Sequence, residues 1–141
     1  SSRALHVMGA GNDSQDNDEK PFYPASYRTS NSVSVAAVTS SGSLSDFSNF
    51  GSSSVDLAAP GSSIYSTLPG GRYGTRSGTS MATPHVTGVA GLLVSLAPGL
   101  SNGQLRSLLL RGVVPKTSLQ GKTVTGGVVN ADRSLELLLR G

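Results

Sequence analysis

Residues 78–99, GTSMATPHVTGVAGLLVSLAPG, constrain this chain more than any other stretch. From Ser80 or Met81 to about Ala97 the spacing predicts a helix, with Val86, Val89, Ala90, Leu93 and Ala97 along one face. The opposite face, Gly88, Gly91, Leu92 and Leu96, is nearly as apolar. A helix apolar all round has to be buried, so the chain must fold into layers that enclose it. The apolar run from Val86 to Leu100 is broken by Thr87, Gly88, Gly91, Ser95, Pro98 and Gly99, and it falls short of the roughly 20 residues that span a bilayer. No membrane span is expected.

The segments on either side supply the layers. ALHVMGAGN reads as a short strand ending at Asn12, and SVSVAAV, residues 32–38, alternates as a second strand. VDLAAPG, residues 55–61, is a third, stopped by Pro60 and Gly61. Residues 63–68 and 71–78 flank PGG and read as a hairpin. Residues 12–24 and the serine-rich 40–54 read as connections. Beyond the central helix, Ser101 caps a second helix that Gly112 closes, Val128 and Val129 form a short strand, and Asn130 caps a final helix. This order gives an α/β class with a mostly parallel sheet.

A chain of 141 residues is one domain or part of one. Eleven basic and eight acidic side chains are scattered along it. No basic stripe forms, so nucleic acid is not an expected partner. Cysteine is absent, which excludes disulfides and thiol chemistry without fixing a compartment. The opening SSRALHVMGAGND has none of the charged region, apolar run and cleavage site of a signal peptide. It runs almost at once into a strand, as the middle of a longer chain would.

Ser80 is where chemistry is expected. A serine in the first turn of a buried helix sits among unpaired backbone N–H groups at the positive end of the helix dipole. That position holds a nucleophilic Oγ at the helix mouth and aims an N–H at a developing oxyanion. A serine or threonine ahead of an apolar helix is usually only an N-cap. Pro84 fits within the opening turn or just past it, and Gly78 lets the backbone approach a bound chain. From these residues alone, cap and nucleophile both stand.

The nine residues GTSMATPHV resemble the serine motif of the subtilases, the subtilisin-like serine peptidases. GAGND, YPASY, SVSVAAV, FSNFG, VDLAAPG and IYSTLPGGRYGTRSGTS fall in that family's order, as do APGLSNGQLRSLLL and GGVVNADRSLE after the helix. The resemblance covers nearly all of residues 1–141 and implies the C-terminal portion of a three-layer subtilisin-like catalytic domain acting on polypeptides. It makes Ser80 the nucleophile and Asn12 a side-chain donor to the oxyanion. By the same resemblance Gly9, Ala10, Gly11, Gly78 and Thr79 lie at the substrate's specificity pocket, and a secreted or other extracytoplasmic setting is implied.

Two departures stand out. The family's nucleophile works with a histidine base and an orienting carboxylate, in the order Asp, His, Ser. Neither motif is present. His85, five residues past Ser80, lies about 140° around a helix and should not reach back; it reads as a packed helix histidine, and His6 as a core histidine. Asp46 and Asp56 have no histidine beside them. The missing pair is expected from a preceding N-terminal half, or from another chain. The alternative is a catalytically dead, subtilase-like binding module. Residues 12–24 offer Asp13, Asp16, Asp18 and Glu19, which suit a solvated loop or a cation. Several subtilases hold calcium with an aspartate where Thr39 and Ser40 stand here. No metal ligand is therefore assigned, although calcium in the intact protein fits the resemblance.

Overall fold

The computed structural model describes residues 4–141, so the opening SSR lies outside the described residues. Five strands form one sheet: β1 (His6–Gly9), β2 (Ser32–Val38), β3 (Leu57–Pro60), β6 (Val114–Pro115) and β7 (Gly127–Val128). Their order is β1-β2-β3-β7-β6, parallel throughout except where β6 runs against β7. A separate antiparallel hairpin joins β4 (Ile64–Leu68) to β5 (Arg72–Arg76), with Gly70 and Gly71 at positive φ in its turn.

Every side chain of β2 is buried, on both faces, as parallel strands demand. Val33, Val35 and Ala37 point to one side with Leu57 and Ala59 of β3, and there they meet the helix α1 (Thr79–Leu96) through Ala82, Val86, Ala90 and Leu93. The helices α2 (Asn102–Arg111) and α3 (Ala131–Arg140) complete this layer with Leu105, Leu109, Leu135 and Leu138. On the other face Ala36, Val38 and Ala58 are closed over by Leu44, Val55 and Leu119 from connecting segments.

The expected caps form. Ser101 Oγ accepts from the Gln104 N–H, and the Gln104 side chain accepts from the Ser101 N–H in return. Asn130 Oδ1 accepts from the Arg133 N–H. Between β2 and β3, Asp56 takes the Ser34 N–H on one oxygen and Arg106 on the other at 2.7 Å, while Arg106 Nε donates to Ser32 O. Burial pushes the Asp56 carboxyl above its ordinary value, and the Ser34 N–H and the Arg106 charge pull part of that back.

Four expectations change. Helix α1 is not enclosed: Leu92 is 50% exposed and Leu96 61%, because the sheet and the two later helices cover only one side of it among the described residues. His6 is exposed at the start of an edge strand rather than packed in the core. His85 is exposed too, its ring held by Nδ1 donating to Met81 O at 2.9 Å. Ser80 is not the cap, since α1 starts at Thr79 with Gly78 in the capping position and no side-chain cap bond.

Candidate active site

Strand β1 ends against the first turn of α1, and this junction brings Asn12 to Ser80. Gly11 has a φ of 111°, a region that disfavours side chains, and a Cβ there would come 2.5 Å from Asn49 Nδ2. Gly9 is needed for space: a Cβ would lie 2.9 Å from Thr79 Oγ1. The strand end can therefore close down on Thr79, which is buried.

Thr79 organises the inner side of this junction. Its N–H donates to Asn12 Oδ1 at 2.8 Å and its hydroxyl donates to the same oxygen at 3.0 Å. The hydroxyl in turn accepts from the Gly11 N–H at 3.2 Å. A backbone N–H can only donate, so the Asn12 amide is fixed with its oxygen inward and its NH2 turned the other way. Thr79 thus points to the interior, toward Asn12 and Gly11.

Behind Asn12 a second asparagine pair braces the loop. Asn49 Oδ1 accepts from the N–H groups of Asp13 and Gln15, and Asn49 Nδ2 donates to Asn17 Oδ1. Asn17 Nδ2 donates to Ala10 O, and the Asn49 N–H donates to Gly11 O. Both side chains are buried. Sequence reasoning assigned them no role, because both lie in segments read as polar connections, where one more asparagine does not stand out.

Ser80 is exposed, and its Oγ has no hydrogen-bond partner among the described residues. Around it the first-turn donors are otherwise engaged: Thr79 N–H with Asn12, Met81 and Ala82 N–H with Gly78 O. The Ser80 N–H remains open. Pro84 is the sixth helical residue, and its missing N–H would have bonded the Ser80 carbonyl. Neither histidine approaches as a base within hydrogen-bond reach, since Ser80 Oγ has no partner and His85 is turned to Met81. Asp56 is committed to Arg106.

Ser80 also lines a depression of about 400 Å³ between α1 and the β4–β5 hairpin, with Ile64, Leu68, Arg76, Met81 and His85 around it. The acidic loop does not gather into a site. Asp18 is taken by Ser52 and Ser54 hydroxyls and the Ser53 and Ser54 N–H groups. Slight burial pushes its carboxyl up, but these donors outweigh that and hold it below its ordinary value. The Thr39 hydroxyl is bonded to the Ser41 hydroxyl and to Ser43 O, so neutral, mutually satisfied groups stand there. Among the described residues no three His, Cys, Asp or Glu side chains converge on one point.

An exposed serine at the mouth of a helix, with an oriented asparagine beside it, sits on a mostly parallel sheet, and the fold is one shared with known proteins. The family model described as Subtilase family, peptidase S8, matches residues 1–131, and this chain belongs to that family. Among its relatives, thermitase of Thermoactinomyces vulgaris is 45% identical over 130 residues, covering 92% of this chain and 43% of that protein. Subtilisin E of Bacillus subtilis is 46% identical over 110 residues, 77% of this chain and 28% of that protein. Of solved structures, a cold adapted subtilisin-like serine proteinase superposes with a TM-score of 0.79 at 42% identity, covering 89% of this chain and 44% of that one. The structure of the subtilase cytotoxin SubAB assembly gives 0.82 at 30% identity, with 96% and 49% covered. The chain spans less than half the length of the two relatives named.

Proposed function

We propose that this chain is the nucleophile-bearing portion of a serine endopeptidase that cleaves polypeptides through an acyl-enzyme on Ser80. The observation that carries the reading is the fixed amide of Asn12, whose oxygen is consumed by Thr79 and whose NH2 faces away from it, next to an unpartnered Ser80 N–H and Oγ. Ser80 Oγ attacks the carbonyl carbon and loses its proton to a base. The carbonyl oxygen becomes an oxyanion held by Asn12 Nδ2 and the Ser80 N–H. Collapse breaks the C–N bond and releases the amine, protonated by the base. Water then attacks the ester, and Ser80 regains its proton.

The base and its orienting carboxylate come from outside residues 1–141, from a preceding half of the same domain. The exposed Leu92 and Leu96 of α1 and the free edge of β1 are the surfaces that half would cover. Residues 1–141 alone are then inactive. No calcium-dependent step is assigned to any residue here. Among the described residues no helix is long and apolar enough to cross a membrane, and an extracytoplasmic setting rests on the family reading alone.

The test is labelling of the full-length protein with a fluorophosphonate and peptide mapping of the product. Label on Ser80, abolished by Ser80→Ala, is the expected result. A folded full-length protein that takes no label refutes the peptidase reading and leaves the catalytically dead binding module.

A further inference from the structure

We propose that Arg76 selects substrates carrying an acidic side chain at the residue immediately after the cleaved bond. The inference rests on the assignment of Ser80 as nucleophile. A polypeptide lying across Ser80, with its carbonyl oxygen toward Asn12, runs between two walls. One is the glycine-lined end of β1, Gly9 to Gly11, where the residue before the cleaved bond is expected. The other is the β4–β5 hairpin, which the residue after the bond must face.

That second wall has a definite chemistry. In the hairpin register Ile64 lies opposite Arg76 and Ser66 opposite Gly74, so these four share one face. All four line the depression that Ser80 opens into, together with Leu68 and Met81. The lining mixes the apolar Ile64, Leu68 and Met81 with the hydroxyls of Ser66 and Thr67, and at Gly74 the Leu68 methyl occupies the space a side chain would take. The rim carries one permanent charge. Arg76 is exposed, donates only to Thr75 O at 3.2 Å and makes no ion pair among the described residues. Among the described residues no aspartate or glutamate lines the depression; its other titratable groups are Tyr65, a neutral phenol, and His85, whose Nδ1 is committed to Met81 O. A guanidinium with most of its five donors open, lining the same depression as Ser80 and unopposed by a carboxylate among the described residues, matches a substrate carboxylate in both charge and fork geometry.

An exposed pair of this kind changes selection by about two- to fivefold. The experiment uses the full-length protein and three peptides that differ only in Glu, Gln or Lys after the cleaved bond. Expected are a Glu-to-Gln ratio of kcat/KM of about two to five at low ionic strength, shrinking with added salt. Arg76→Gln should bring the ratio to one, Arg76→Lys should keep part of it, and Arg76→Glu should turn the preference to Lys. A ratio of one in the unsubstituted protein, or a ratio that Arg76→Gln leaves unchanged, overturns the inference. A p-nitroanilide substrate, which has no residue beyond the bond, separates the two levels. Turnover of it that Ser80→Ala removes confines a negative result to Arg76, whereas no Ser80-dependent turnover overturns both readings.

Discussion

Replacing Thr79 with valine tests the site's inner support, because the Thr79 hydroxyl is turned to Asn12 and Gly11 in the interior. Valine keeps the shape of threonine but removes the hydroxyl, and with it the bond to Asn12 Oδ1 at 3.0 Å and the bond from the Gly11 N–H at 3.2 Å. Thr79 is 2% exposed, so water cannot readily replace the lost oxygen. The stranded Gly11 N–H alone costs about 1–3 kcal/mol, and the lost bond to Asn12 about 1 kcal/mol more. Together these lower the unfolding free energy by about 2–4 kcal/mol. Asn12 still holds the Thr79 N–H at 2.8 Å, so its amide keeps its sense but gains freedom. The lost bond of about 1 kcal/mol corresponds to a roughly fivefold fall in kcat, the value we expect. The ceiling is the roughly 10²–10³ lost when a whole oxyanion donor is deleted in a subtilisin, a magnitude carried over from that relative. Urea unfolding and steady-state peptide hydrolysis of the full-length protein measure the two effects, with Thr79→Ser as the variant that restores the hydroxyl. Stability within about 0.5 kcal/mol of the unsubstituted protein together with unchanged kcat would refute the assignment of Thr79 as the organiser of Asn12.

Gly9→Ala should destabilise the protein by about 1–3 kcal/mol and lower kcat, because the new methyl meets Thr79 Oγ1 at 2.9 Å and the Thr79 carbonyl carbon at 3.2 Å. Equal melting temperatures and equal rates would show that the strand end yields freely. Arg106→Ala leaves Asp56 without its cation, at a cost of up to about 3 kcal/mol at pH 7, the lower end of the buried-pair range because Arg106 is partly exposed. The Asp56 carboxyl is already above its ordinary 3.8 in the fold, so the native state binds its proton more tightly than the unfolded chain and its contribution to stability falls as pH rises through that window. Without Arg106 the window widens upward. The deficit of Arg106→Ala should therefore shrink at pH 4 relative to pH 7, and urea unfolding at both would reveal a constant deficit if the pairing is unimportant.

What could be read from the sequence was what neighbours in sequence decide. Ser101 with Gln104, and Asn130 ahead of its helix, are local capping signals, and they formed as expected. The alternation of SVSVAAV and the PGG turn were equally local. The short strands Val114–Pro115 and Gly127–Val128 were only half legible, since two residues carry no period and their pairing depends on β3. The exposure of Leu92 and Leu96 was illegible for a different reason: composition says that a face prefers burial, and only the packing says whether a partner covers it. In the candidate site, GTSMATPHV marked Ser80 and GAGN marked Asn12, but Thr79 as their link and the Asn49–Asn17 brace needed distances between segments more than 30 positions apart.

The bond between Asn12 and Thr79 joins residues 67 positions apart, and the sheet beneath it is built from parallel neighbours that no tight turn can connect. Closing a loop of that length costs entropy that the contact itself cannot offset, and the pairing of β1 with β2 and β2 with β3, together with the packing of α1 across them, brings the two ends near each other. The helices, with their local caps, have no such debt. The sheet therefore has to form before the Asn12–Thr79 junction can close, and a chain that has regained only its helical content still lacks that junction.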